Sequence, residues 1–305
     1  WWIGLFILLF NFITGLFGNN LKATWVCIFY QLALLTLLVL LRAPPQKPRA
    51  LEIIKMLFGL AIGLGLPFDF ITTTEFNKQL GLGLVDKYLL GADIFLFPNF
   101  ERGTISLNLD KSVVFNPTTF LGKLTNDFFE IAYISFYVWG YASYLFIILQ
   151  ILWLWYRKGS ENVTQTVNKL LLQLEYLLIC WATTFSIIFL LNAFFPGKSP
   201  RLYLKDEFTT TITGFGFAGF WRSHVDRDDS SGTFPSGHFG ETLAVAFGIF
   251  YTDRRVGSFV FLMTFFIGVA TVWNRYHYLV DLLGGAAACM FSYVLANIYL
   301  RYKLH

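Results

Sequence analysis

The 305-residue chain is 56% hydrophobic, 19% aromatic and only 14% charged, with a mean hydropathy of +0.58. A soluble globular domain carries about 25% charged residues, so this composition excludes one and points to a polytopic membrane protein. The formal charge of +4 is too small to suggest nucleic-acid binding. Cys27, Cys180 and Cys289 sit in apolar stretches without CxxC or Cys/His spacing, and read as small core residues rather than as disulfides or metal ligands.

A bilayer core of about 30 Å takes about 20 apolar residues as helix. On that measure the sequence predicts an all-α bundle of about eight transmembrane spans, near 1–17, 23–41, 54–70, 128–156, 169–195, 239–253, 256–273 and 278–300. The chain opens at Trp1 inside an apolar run, which reads as a trimmed start. The span at 239–253 is short and needs extension by the motif before it. Four basic clusters orient the bundle: Arg42, Lys47, Arg49 and Lys55; Arg157, Lys158 and Lys169; Arg254 and Arg255; Arg301 and Lys303. With eight spans all four fall on one side, which the positive-inside rule assigns to the cytoplasm. Two long segments, 71–127 and 196–237, then face outward, the first with an amphipathic piece over Asp86–Phe97. The chain accordingly divides into N-terminal spans with an extracytoplasmic segment, 1–127, and a C-terminal membrane domain, 128–305.

Two histidines carry the chemistry. His238 closes Phe234-Pro235-Ser236-Gly237-His238, and His277 opens His277-Tyr278-Leu279-Val280-Asp281. One helix descends and another returns between them, by way of the charged turn Asp253-Arg254-Arg255, so both imidazoles come to the outer face. His277 and Asp281 are four apart, which places them on one helical face. A carboxylate on one ring nitrogen fixes the tautomer and leaves the other nitrogen to attack. Ser236 is a candidate N-cap, and Gly237 lets backbone come close to a ligand. Free N–H groups at a helix start bind phosphate, and His238 at that place suits a general acid and base. Lys198, Arg201 and Arg275 are predicted on the same face as cations for the phosphate. Glu241 and Glu130 are candidates to line the pocket or to pair with one of these cations. His224 reads as a surface residue, and Asp226, Asp228 and Asp229 as a solvated loop rather than a metal site. Gly284-Gly285-Ala286-Ala287-Ala288 reads as a close helix contact.

Over 128–300 these residues resemble the type 2 phosphatidic acid phosphatase superfamily, the integral-membrane relatives of vanadium haloperoxidases. The family's Pro-Ser-Gly-His stands intact at 235–238, and its His-x-x-x-Asp stands as His277 to Asp281. The resemblance implies a six-helix-type phosphatase core in the C-terminal half and a two-step reaction without metal or other cofactor. In it His277 attacks phosphorus, Asp281 orients His277, and His238 serves as acid and then as base. The chain departs from the family at two motifs. The first is reduced to Lys198-Ser199-Pro200-Arg201, and Ala270 and Thr271 stand where the third usually has Ser-Arg. Divergent members such as inositol phosphorylceramide synthase also lack the full first motif. Three functions follow as expectations: a lipid phosphate phosphatase, a headgroup transferase resembling that synthase, and a non-catalytic scaffold or transporter. The phosphatase is preferred, acting on a lipid phosphate of the bilayer from the non-cytoplasmic side of a bacterial cell membrane or, alternatively, of an organelle. Neither the exact lipid nor the oligomeric state is legible.

Overall fold

The computed structural model describes residues 52–57, 59–60, 83–98, 104–110, 118–157, 161–225 and 232–304. The predicted spans at 1–17 and 23–41 lie outside these residues, and of 54–70 only the helical residues up to 60 are described. The secondary structure of the described residues is helical, joined by loops such as 208–216 and 232–236. α1 (Asp86–Leu96), α2 (Ile105–Leu109), α3 (Phe120–Ile134), α4 (Phe136–Arg157) and α5 (Glu161–Phe194) come first. The short α6 (Pro200–Tyr203), a 3-10 turn (Lys205–Glu207) and α7 (Phe217–Val225) follow. The chain ends in α8 (Gly237–Thr252), α9 (Arg254–Trp273) and α10 (Leu279–Leu304).

Among the described residues four helical stretches are long and apolar enough to cross a membrane: Phe136–Arg157, Val163–Phe194, Arg254–Trp273 and Leu279–Lys303. They mark the chain as a multi-pass membrane protein. The structure revises the predicted span at 128–156, which is two helices. α3 stops at Ile134 and α4 begins at Phe136. At the joint the Ser135 hydroxyl donates to the Ala132 carbonyl and accepts from the Trp139 indole. A serine side chain bonding to its own turn offers the backbone an alternative to the helical ladder. The short span at 239–253 is α8, lengthened only to 16 residues. At 1.5 Å per residue that is about 24 Å, less than a bilayer core. α8 does not need the full thickness, because it is the central helix and packs against α5, α9 and α10.

The apolar core fills the end of α8 away from His238. Ile249, Ala246 and Val245 share one cluster with Leu177 and Leu174 of α5 and Val260 of α9. Cys180 and Cys289 are buried there as free thiols, in the small-residue role read from their surroundings. α8 and α10 touch through glycine. A Cβ on Gly285 would lie 2.5 Å from the Ser236 carbonyl oxygen, and one on Gly240 would lie 2.7 Å from the Gly285 carbonyl oxygen. The run at 284–288 is therefore the close helix contact that its small residues suggested. The turn between α8 and α9 is fixed by Asp253, whose carboxylate accepts from the amides of Arg255 and Val256.

Candidate active site

The His238 end of α8 and the start of α10 are tied together before any site side chain is considered. The Ser236 amide donates to the Asp281 carbonyl at 2.9 Å. The Ser236 hydroxyl accepts from the Phe239 amide, so Ser236 is the N-cap of α8. Upstream, the amides of Gly232 and Thr233 both donate to the Gly197 carbonyl. That pairing sets Lys198 beside the segment that leads into Pro235-Ser236-Gly237-His238.

α9 ends in a tight reversal. The Arg275 amide donates to the Val272 carbonyl and the Tyr276 amide to the Thr271 carbonyl, with Arg275 at φ 65°. This is the Schellman pattern, in which the left-handed position usually belongs to glycine. An arginine there costs about 1 kcal/mol or more of backbone strain. The reversal brings His277 back over the end of α8. Its ring lies 5.9 Å from that of His238, centroid to centroid.

The His277 Nδ1 lies 3.2 Å from the Asp281 Oδ2, and that oxygen also accepts from the Tyr278 amide at 3.0 Å. Both side chains are buried. An imidazole held at Nδ1 by a carboxylate presents Nε2 outward. The His238 ring stacks on Tyr133 at 4.2 Å, with Phe136 at 4.5 Å and the edge of Tyr137 at 6.1 Å. Its Nε2 is buried and, among the described residues, has no hydrogen-bond partner. Leaving a buried polar atom unpaired costs about 1–3 kcal/mol, a cost that a ligand oxygen would remove.

The candidate cations divide. The Arg201 guanidinium lies over the Tyr276 ring at 5.6 Å, and its amide donates to the Arg275 carbonyl, so it stands beside the reversal that carries His277. Arg275 points the other way. Its Nη2 donates to the Asp110 carboxylate at 2.8 Å, its Nη1 to the Thr210 carbonyl at 2.9 Å, and its guanidinium covers Phe208 at 4.0 Å. Burial lowers its pKa to about 10 against the pull of Asp110, which keeps it charged at neutral pH. A third arginine, Arg222 of α7, was not singled out in the sequence. Its guanidinium also lies over the Tyr276 ring, at 5.5 Å. Its Nε is 2.9 Å from Glu130, and its Nη2 donates to the Asn274 carbonyl. Glu130 also accepts from the Tyr276 hydroxyl. Glu130 thus does pair with a cation, one other than the three foreseen. Nothing local marks Arg222, because its partner is 92 positions away in the chain. Glu241 is buried on α8 one turn past Gly237, where a Cβ would meet its Oε1 at 3.0 Å.

The loops around the site are held by aspartates of α1, of the end of α2 and of the middle of α3. Asp86 accepts from the Lys198 amide. Asp93 accepts from the amides of Leu279 and Val280. Asp110 accepts from the amides and hydroxyls of Thr209 and Thr210. Asp127 accepts from the amides of Phe215 and Ala218, at the start of α7. Burial alone would raise the Asp110 pKa, but the Thr209 and Thr210 hydrogen bonds outweigh it and hold the carboxyl at about 2. Among the described residues no three His, Cys, Asp or Glu side chains gather in a metal-binding group. Asp226, Asp228 and Asp229 and the side chain of His224 lie outside the described residues.

Fold and site together describe a helical membrane protein with a His–Asp pair facing a second histidine at one end of its central helices. The pattern of the PAP2 superfamily matches residues 106–295, and the chain belongs to that superfamily. It is also 30% identical over 252 residues to a PA-phosphatase related-family protein of Dictyostelium discoideum, a match that covers 79% of this chain and 45% of the relative. The chain thus spans about half the length of the curated relative it matches. No solved structure matches it.

Proposed function

We propose that the protein is an integral-membrane lipid phosphate phosphatase that works through a phosphohistidine, with its site on the non-cytoplasmic side. The observation that carries this reading is the buried His238 ring, its Nε2 without a partner among the described residues, 5.9 Å from the ring of the Asp281-bound His277. In the first step the His277 Nε2 attacks phosphorus, an N–P bond forms and the ester P–O bond breaks. Protonated His238 gives its Nε2 proton to the leaving lipid oxygen, and Asp281 stabilises the charge that develops on His277. In the second step neutral His238 takes a proton from water, the water oxygen attacks phosphorus, and the N–P bond breaks. Lys198 and Arg201 stabilise the charge on the equatorial oxygens.

One observation favours a second reading. The Arg275 side chain, one of the three foreseen cations, is engaged by Asp110 and Thr210, so its charge is committed to the protein rather than to a phosphate. A phosphodiester carries one negative charge, whereas a monoester carries about two. A diester donor and a lipid alcohol in place of water would make the protein a headgroup transferase through the same His277 step.

The test separates the two. Purified protein is given phosphatidate, polyprenyl diphosphate, or a phosphoinositol lipid with ceramide, and both inorganic phosphate and lipid products are measured. Phosphate release that falls about 10³-fold or more in His277→Ala and survives chelators supports the phosphatase. A new lipid without released phosphate makes it a transferase. Full activity in His277→Ala, or a chelator loss restored by metal, overturns the mechanism.

A further inference from the structure

α1 is built inside out. Its buried positions are Asp86, Leu89 and Asp93, spaced three and four apart on one face, while Tyr88 and Phe95 are 76% and 82% exposed. An amphipathic helix ordinarily buries its apolar stripe and exposes its charges. Burying an isolated carboxylate costs several kcal/mol unless hydrogen bonds replace its water. Both aspartates have such bonds, and the donors are backbone amides of the candidate site. The Asp93 Oδ1 accepts from the Val280 amide at 2.8 Å and its Oδ2 from the Leu279 amide at 3.2 Å. These are among the first amides of α10, which have no partner within their own helix. They lie between His277 and Asp281 in the chain. The Asp86 Oδ1 accepts from the Lys198 amide at 2.8 Å. Leu89, between the two aspartates, packs in one apolar cluster with Tyr278, Leu204 and Leu107. The face of α1 is therefore fitted to both the Lys198 loop and the start of α10.

We propose that Asp93 is a positioning residue for His277 and Asp281, and that Asp86 plays the matching part for Lys198, so that α1 clamps the nucleophile and the phosphate-binding loop in one register. The proposal rests on the reading of His277 as nucleophile. Neither aspartate touches the reacting atoms. Asp93 acts on them by fixing the first turn of α10, where Asp281 must meet the His277 Nδ1 while Nε2 stays aimed at phosphorus. Asp86 acts by fixing the backbone from which Lys198 projects.

The two contacts predict different kinetic effects. A nucleophile misplaced by about 1 Å loses about 10²-fold in rate, so Asp93→Ala should lower kcat between about 10-fold and 10²-fold and leave KM within about 2-fold. Asp86→Ala should chiefly raise KM, because it loosens a binding group. Asp93→Asn keeps one acceptor oxygen and should fall between wild type and Asp93→Ala. It also carries the test should the alanine variant fail to fold.

The experiment measures steady-state phosphate release and new-lipid formation with the three lipid probes for wild type, His277→Ala, Asp93→Ala, Asp93→Asn and Asp86→Ala. Hydrogen exchange is followed in parallel at the Leu279 and Val280 amides. Faster exchange at those amides together with the kcat loss supports the clamp. Unchanged exchange in the Asp93 variants overturns it, as does unchanged kcat in a folded Asp93→Ala protein. Wild-type turnover with unaffected Asp93 variants sinks the clamp alone. A wild-type protein that yields neither phosphate nor new lipid sinks the functional reading, and with it the positioning role.

Discussion

The two ends of the helical bundle are held together by different physics. Around Ile249, Leu177 and Cys180 the contact is apolar side chain on apolar side chain, with glycine where backbones approach. Around His238 and His277 aromatic packing such as Tyr133 on His238 is joined by buried contacts that are ionic or made to backbone: Asp110 with Arg275, Glu130 with Arg222, and Asp93 with the start of α10. The apolar end is non-directional and fixes only that the helices pack. The polar end fixes where individual atoms stand, because a hydrogen bond weakens steeply with angle and a buried charge left unpaired is costly. A site that must align two imidazoles needs the second kind of contact, and it is found where the imidazoles are.

Breaking the polar end should have the largest effect. Asp110→Ala leaves the Arg275 guanidinium buried without its carboxylate and removes the acceptor of Thr209 and Thr210, so about 3–5 kcal/mol of stability should be lost. Arg275 lies two residues before His277, and turnover should fall with the stability. A thermal scan in detergent beside an activity assay checks both, and an unchanged midpoint would show that Asp110 is not holding the reversal.

At the apolar end Ile249→Ala should cost about 2–4 kcal/mol by leaving a cavity, while kcat per folded molecule stays within about 2-fold of wild type. A similar loss of kcat from this remote change would erase the distinction between the two ends.

The smallest effect is a pH dependence that belongs to the polar end alone. With a folded pKa of about 2 against 3.8 when unfolded, Asp110 binds its proton less readily in the folded state. Its contribution to stability is therefore complete above about pH 4 and is lost as the pH falls toward 2. Midpoints of wild type and Asp110→Asn, compared down that range, should converge as the pH falls. Parallel curves would remove Asp110 from the account.

Several parts of this arrangement follow from local spacing. The i, i+4 step from His277 to Asp281 and the N-cap at Ser236 depend on neighbours within a turn, the Gly284–Gly285 contact is marked by its own run of small residues, and all three stand in the structure as the sequence predicts. The return of His238 and His277 to one end needs only two helices and a short turn between them. The helix at Asp86–Leu96 also stands within one residue of the predicted amphipathic piece. Which of its faces is buried was not legible, because exposed Phe95 and buried Asp93 reverse the ordinary preference. Hydropathy likewise could not divide 128–156, since the break at Ser135 is made by a hydroxyl in an otherwise apolar run.

The sequence by itself determined a membrane-embedded helical chain and the gathering of His238, His277 and Asp281 at one end of its bundle, because composition and helical periodicity act over a few residues at a time. Only the tertiary structure decided what each charge meets. Arg275 turns to Asp110 across 165 positions, Glu130 takes Arg222, and Asp93 reaches Val280 across 187. A buried charge is tolerated only where its partners converge, and those partners are brought together by the packing of distant helices rather than by their order along the chain.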